Sequence, residues 1–195
     1  MKILIVAAVL VAVCYAQPPP PPVRPVIPET FDSGVEVTYH EQETRSGRGY
    51  IARNQAKNEG VEDLYAVVEG KNESRIRLER YDMGEEYYIR GSGTDEHCEM
   101  RKTNGTTLPP YWGWVKDAHY YGQRKVREET LEVWEYDHGP GVRFEVLVNA
   151  ENVNVPRYLN SELGSDRREI TFQKFDAIAP QEALFVVPKV CGELL

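Results

Sequence analysis

Val142, Phe144, Val146 and Val148 alternate with Arg143, Glu145 and Asn149, and a period of two puts successive side chains on opposite sides of an extended chain. A helix cannot use that pattern. The same period recurs where Val35, Val37 and Tyr39 alternate with Glu36, Thr38 and His40, and where Ile76 and Leu78 alternate with Arg75, Arg77 and Glu79. In each run one face is expected in the core and the charged face in water. Gly70-Lys71-Asn72, Gly91-Ser92-Gly93 and His138-Gly139-Pro140-Gly141 separate the runs with residues suited to chain reversal. Leu131 to Tyr136, entering the last of these turns, and Val142 to Val148, leaving it, form the clearest hairpin. Tyr50–Arg53, Asp63–Glu69, Glu86–Arg90, His97–Arg101, Glu169–Phe175 and Leu184–Val187 read as further strands. Gly122–Glu132 and Val155–Leu163 read as one or two short helices. About nine short strands with turns between them predict a mainly β protein, with curved antiparallel sheets forming a half-open barrel or a sandwich.

The N-terminus has the form of a signal peptide. Met1-Lys2 precedes an apolar run from Ile3 to Val13, and Cys14-Tyr15-Ala16 places small residues where signal peptidase needs them. Cleavage is expected after Ala16. The apolar run is about half of the ~20 residues needed to span a bilayer, so a secreted chain that does not span a membrane is expected. Gln17 to Pro28 holds five consecutive prolines and two more, so residues 17–30 are read as an extended polyproline arm, with residues 31–195 forming one β-rich domain. Loss of Cys14 with the signal leaves Cys98 and Cys191. In an oxidising compartment two cysteines are most simply one disulfide, and the alternative is a free reactive thiol.

A formal net charge of -8 argues against a nucleic-acid partner, because phosphate backbones select clustered Lys and Arg. The familiar catalytic motifs are absent: there is no nucleophile elbow, zinc-protease motif, phosphate loop or dinucleotide fingerprint. His97 and Cys98 resemble a base beside its nucleophile, but neighbours on a strand diverge to opposite faces. No metal site is expected, since His40, His119 and His138 lack ligand spacing, and Glu128, Glu129 and Glu132 read as a solvated acidic face. Nor is any cofactor expected. A non-enzymatic protein is the reading these observations favour. Asn72-Glu73-Ser74 and Asn104-Gly105-Thr106 are glycosylation sequons in turn-like places.

Leu64 to Tyr81 resembles a hairpin of ependymin-like proteins, with a strand, a polar turn containing Asn, and Arg-x-Arg on the second strand. Cys98, the Asn104 sequon and Pro109 resemble a stretch in the N-terminal domain of secreted papain-class insect proteases and of counting-factor-associated protein. Val133–Asp137, Val142–Val148, Ile170–Asp176, Pro180, Leu184-Phe185 and Cys191-Gly192 fit the same group. That C-terminal pattern is also similar to the end of the bacterial lipoprotein carriers. The resemblance covers about Asp63 to Gly192. It implies curved antiparallel sheets enclosing an apolar pocket for acyl chains, and a bridge between the early and the last cysteine. The protease relatives carry a separate catalytic domain that these residues do not match, so peptidase activity is not expected to carry over.

On that resemblance the expected partner is an apolar small molecule, a lipid or fatty acid. It would be lined by Tyr65, Val67, Ile76, Leu78, Val133, Phe144, Val146 and Phe172, with Trp112 and Trp114 near the mouth. An extracellular protein partner, met through the sheet surface or the Pro-rich arm, is the alternative.

Overall fold

The computed structural model describes residues 22–40, 44–68, 71–91 and 95–192. The expected signal peptide, residues 17–21 of the arm, and the Gly70 and Ser92-Gly93 parts of two turns lie outside them. The strands are β1 (Phe31–His40), β2 (Thr44–Asn54), β3 (Glu59–Val68), β4 (Lys71–Arg80), β5 (Glu85–Gly91), β6 (His97–Lys102), β7 (His119–Val126), β8 (Glu129–Asp137), β9 (Val142–Asn149), β10 (Asn152–Leu163) and β11 (Asp166–Asp176). They form one antiparallel sheet in the order β6-β5-β4-β3-β2-β1-β11-β10-β9-β8-β7. The mainly β, curved and half-open architecture is therefore as expected, with β6 and β7 as its two edges.

Three local expectations are corrected. Gly122–Glu132 lies in β7 and β8, and Val155–Leu163 lies in β10; neither is helical. Pro156, which argues against a ladder position, sits where the β9–β10 register shifts, the irregularity at which a strand tolerates proline. Gly122 likewise sits at a register shift, with φ of 118°. Leu184–Val187 is not a strand, for Glu182–Phe185 is a 3-10 turn. The one α-helix among the described residues, α1, is Lys189–Gly192.

Both faces of the sheet are covered, in different places. Phe31, Val35, Val37, Ile51, Leu64, Trp134, Val146, Leu159, Ile170 and Phe172 form a core on one side, the first face. The connection from β6 to β7 must travel between the two edges, and it crosses this face, burying Trp112, Val115 and Ala118. Residues 22–30 lie over the same core, where Ile27 is buried. On the second face Ala52, Val61, Leu78, Tyr87 and Ile89 are capped by Phe185 and Cys191 from the C-terminal segment. Cys98 of β6 and Cys191 of α1 are bonded to each other, 93 residues apart in sequence.

The first face is the inside of a sharp fold at β2 and β3. A Cβ on Gly47 would collide with the carbonyl of Tyr65, and one on Gly49 with that of Asp63; glycine lets the two backbones close up. Gly49→Ala should therefore destabilise the protein by about 2–3 kcal/mol in urea unfolding, the cost of forcing packed strands apart. Gly34→Ala, where a Cβ meets nothing within 4 Å, should be nearly neutral. Equal effects would mean the sheet yields at the fold.

Candidate functional site

The residues expected to line one pocket are dispersed by the strand register. Trp112, Val146 and Phe172 belong to the first-face core, where the Trp112 and Phe172 rings lie 5.6 Å apart. Trp114 is partly buried beside them and stacks on Phe144 at 5.5 Å. Leu78 and Ile76 belong to the second-face core, and Val133 lies in a smaller cluster with Leu131 and Leu147. Only Tyr65 and Val67 open to solvent, at 41% and 64% exposure. They share the second face of β3, two residues apart.

The crossing segment is held down by named polar contacts. The Glu29 carboxylate accepts from the backbone N–H groups of Tyr111 at 2.6 Å and Trp112 at 3.0 Å, and burial pushes its pKa up against those two donors. Arg53 donates to the Pro109 carbonyl at 2.6 Å, and Gln55 donates to that of Leu108 at 2.6 Å.

Charge lies where water was expected. Glu79, on the supposed solvent face of β4, is 2% exposed and accepts from Arg53 at 2.5 Å and pairs with Arg77 at 3.2 Å. Gly60 stands between Arg53 and Glu79 in the ladder, and a Cβ there would meet Glu79 Oε2 at 2.5 Å and Arg53 Nη1 at 3.3 Å. Arg77 also donates to Glu86 at 2.6 Å, and Arg168 donates to Glu62 at 2.9 Å. Burial pushes Glu79 up despite its arginines; at Glu62 burial is outweighed by Arg168 and Arg77, and the pKa falls. Glu145 is buried too, held by Arg124 through two bonds of 2.7 Å. The sequence signal for this network is the run Arg75-x-Arg77-x-Glu79, opposite charges at a spacing of two.

Two adjoining hollows occupy one end of the fold at β2 and β3. A groove of about 450 Å³ is lined by Glu36, Val37, Thr38, Ser46, Gly47, Arg48, Tyr65, Ala66 and Val67. A tighter hollow of about 10 Å³ shares Val37, Tyr65 and Ala66 with it and adds Tyr39, Arg45, Leu64, Glu73 and Arg75. Strand alternation puts Tyr65 and Val67 of the groove on the second face, and Leu64 and Arg45 of the hollow on the first. The β2–β3 pairing ends where Gly47 meets Ala66, so the two hollows meet at the end of that ladder. A second open groove, about 440 Å³, continues past Glu36 and Thr38 toward Tyr158, Leu147 and Val126. Its Arg124 and Arg167 are engaged by Glu145 and Glu169. Among the described residues no group of three His, Cys, Asp or Glu side chains could hold a metal ion. No described helix is long and apolar enough to cross a membrane.

No protein-family model matches the chain, and no curated protein matches it in sequence. Among solved structures it is similar to an uncharacterized conserved protein from Thermus thermophilus, with a TM-score of 0.50 and 14% identity over 83% of this chain and 87% of that one. It is also similar to the Pseudomonas aeruginosa MucA/MucB complex, with a TM-score of 0.43 and 13% identity over 82% of this chain and 57% of the other, so it spans just over half of that neighbour. A LolA superfamily protein from Nitrosomonas europaea gives a TM-score of 0.34 and 8% identity over 84% of this chain and 93% of that one. At 14% identity the likeness to the Thermus thermophilus protein is one of fold.

Proposed function

We propose that this chain is a secreted, non-enzymatic glycoprotein that holds a lipid or fatty acid in the groove at β2 and β3. The observation that carries the reading is the Tyr65–Val67 pair: two large apolar side chains exposed side by side at the wall of a 450 Å³ groove, the arrangement that marks a ligand surface. The first-face core, by contrast, is filled by the protein's own Phe31, Trp112 and Phe172, so a ligand there would have to displace the crossing segment. Burying an acyl chain gains about 0.8 kcal/mol per methylene, and about ten methylenes offset the cost of association for micromolar binding. Secretion rests on the N-terminal sequence. Asn104 lies exposed in a turn with φ of 52°, a position open to a glycan, and Asn72 lies near the start of β4.

Lipid mass spectrometry on protein from a eukaryotic secretion host should recover one lipid class near one per chain, absent from a secreted control protein. Val67→Asp should reduce that recovery by about tenfold with the melting temperature unchanged, since the side chain is exposed. Phe144→Asp should instead lower stability, because it removes the ring that stacks on Trp114. A clean extract from the wild type, with no binding of added fatty acid, would sink the reading. The second reading, an extracellular protein-interaction module, is favoured by the edge of β7, where Tyr120 and Tyr121 are 39% and 70% exposed. An unpaired strand edge can take up a strand from a partner.

A further inference from the structure

Resting on that proposed groove, we infer that the ligand is a single-chain amphiphile with an anionic head, whose head is held by Arg45 in the tight hollow while its tail lies along Tyr65 and Val67.

Three observations converge on this placement. The first is an unmet donor: Arg45 Nε is buried without a hydrogen-bond partner among the described residues. A buried donor left unpaired costs stability, and an acceptor brought by a ligand would relieve that cost. The second is size. The tight hollow holds about 10 Å³, room for one water-sized group such as a single head-group oxygen, whereas the groove sharing Val37, Tyr65 and Ala66 with it is open and about 450 Å³. That pair of volumes suits a small polar head that puts one oxygen into the hollow, joined to a long tail. The third is charge: the walls carry Arg45, Arg48 and Arg75 against Glu36 and Glu73, a local positive excess in a chain of net charge -8.

The surroundings set the sign and shape of the head. Head and tail would lie on opposite faces of the sheet, and the ligand rounds the end of the β2–β3 ladder beyond its last pair, Gly47 and Ala66. At Gly47 itself the strands are closed, since a Cβ there would collide with the Tyr65 carbonyl. Arg48 faces Glu36 across the β1–β2 ladder, yet its guanidinium lies over Tyr65 at 5.5 Å. Arg75 lies over Tyr39 at 5.4 Å, fixing one wall of the hollow. Arg45, opposite Tyr39 in the ladder, is left with its Nε available. A charge-assisted hydrogen bond from a guanidinium to a carboxylate is roughly twice as strong as one to a neutral hydroxyl, so an acid is preferred over an alcohol at Arg45.

The test compares oleate with oleyl alcohol, which differ only in the head, on the full chain by displacement of a fluorescent fatty-acid probe. The wild type is expected to bind oleate about tenfold or more tightly than the alcohol. Arg45→Gln should weaken oleate by that factor and leave the alcohol unchanged, with Arg45→Lys intermediate and Arg90→Gln, outside both hollows, unchanged. Melting curves within a few degrees of wild type qualify each variant, and the charge-conserving Lys variant keeps the comparison valid if Gln unfolds. Equal affinity for the two probes in the wild type, or an acid preference that survives Arg45→Gln, overturns the head-group assignment and leaves the groove standing. Failure of both probes to bind overturns the groove itself.

Discussion

Glu79→Ala should destabilise the protein by about 3–5 kcal/mol, among the largest effects of any single substitution in the sheet, because it leaves a buried guanidinium without its carboxylate. The side chains of Arg53 and Glu79 are 4% and 3% exposed, so water cannot take over. Arg53 would keep as its near contacts the Pro109 carbonyl and the Tyr111 ring, 5.3 Å away, with the Glu29 and Glu62 carboxylates acting from farther off. Pro109 and Tyr111 belong to the segment that crosses the first face, so the loss should spread there. Urea unfolding measures the total, and amide exchange at Tyr111 and Trp112 measures the spread. Replacing the pair together, Arg53→Met with Glu79→Leu, should recover most of the loss, since apolar residues of similar volume bear no desolvation cost. If the double variant is as unstable as the single one, the pair is held for a reason other than mutual neutralisation.

That pair also shows where the sequence was readable and where it was not. Period two identified β1, β4 and β9 because it follows from strand geometry alone, and the turn at His138–Gly141 added β8 as the other arm of a hairpin. It assigned the charged side of each run to solvent, an inference that holds for a sheet with one wet face. Here the sheet folds over at Gly47 and Gly49, and the side of β4 carrying Arg77 and Glu79 is turned inward. Nothing local to β4 announces the fold at β2. The same limit scattered the expected pocket: Leu78 and Val146 alternate correctly within their own strands, but the register places them on opposite faces. Tyr65 and Val67 were legible as apolar and as neighbours on one face. Their exposure was not, because it depends on how far the C-terminal cap reaches across the second face.

Breaking the Cys98–Cys191 bond should cost about 4–5 kcal/mol in the chain-entropy account, since it releases a closed loop of 93 residues in the unfolded state. The folded state would lose more than a link. Four residues of helix cannot sustain themselves, and α1 joins the sheet through this bond and through packing beside Phe185. Polar ties on that segment are the Arg80 guanidinium donating to the Phe185 carbonyl at 2.7 Å and the exposed Lys57–Glu182 ion pair. Paired Cys98→Ser and Cys191→Ser substitutions should therefore uncap Leu78, Tyr87 and Ile89, raising amide exchange in β4 to β6 while β8 to β11 stay protected. The groove at Tyr65 and Val67 lies on the same second face, so fatty-acid binding should weaken in step with that local opening. Uniform loss of protection across all strands would show instead that the bond acts through the unfolded chain alone. Unchanged exchange in β4 to β6 would mean that Phe185 caps the second face by packing, and that the disulfide follows from this placement.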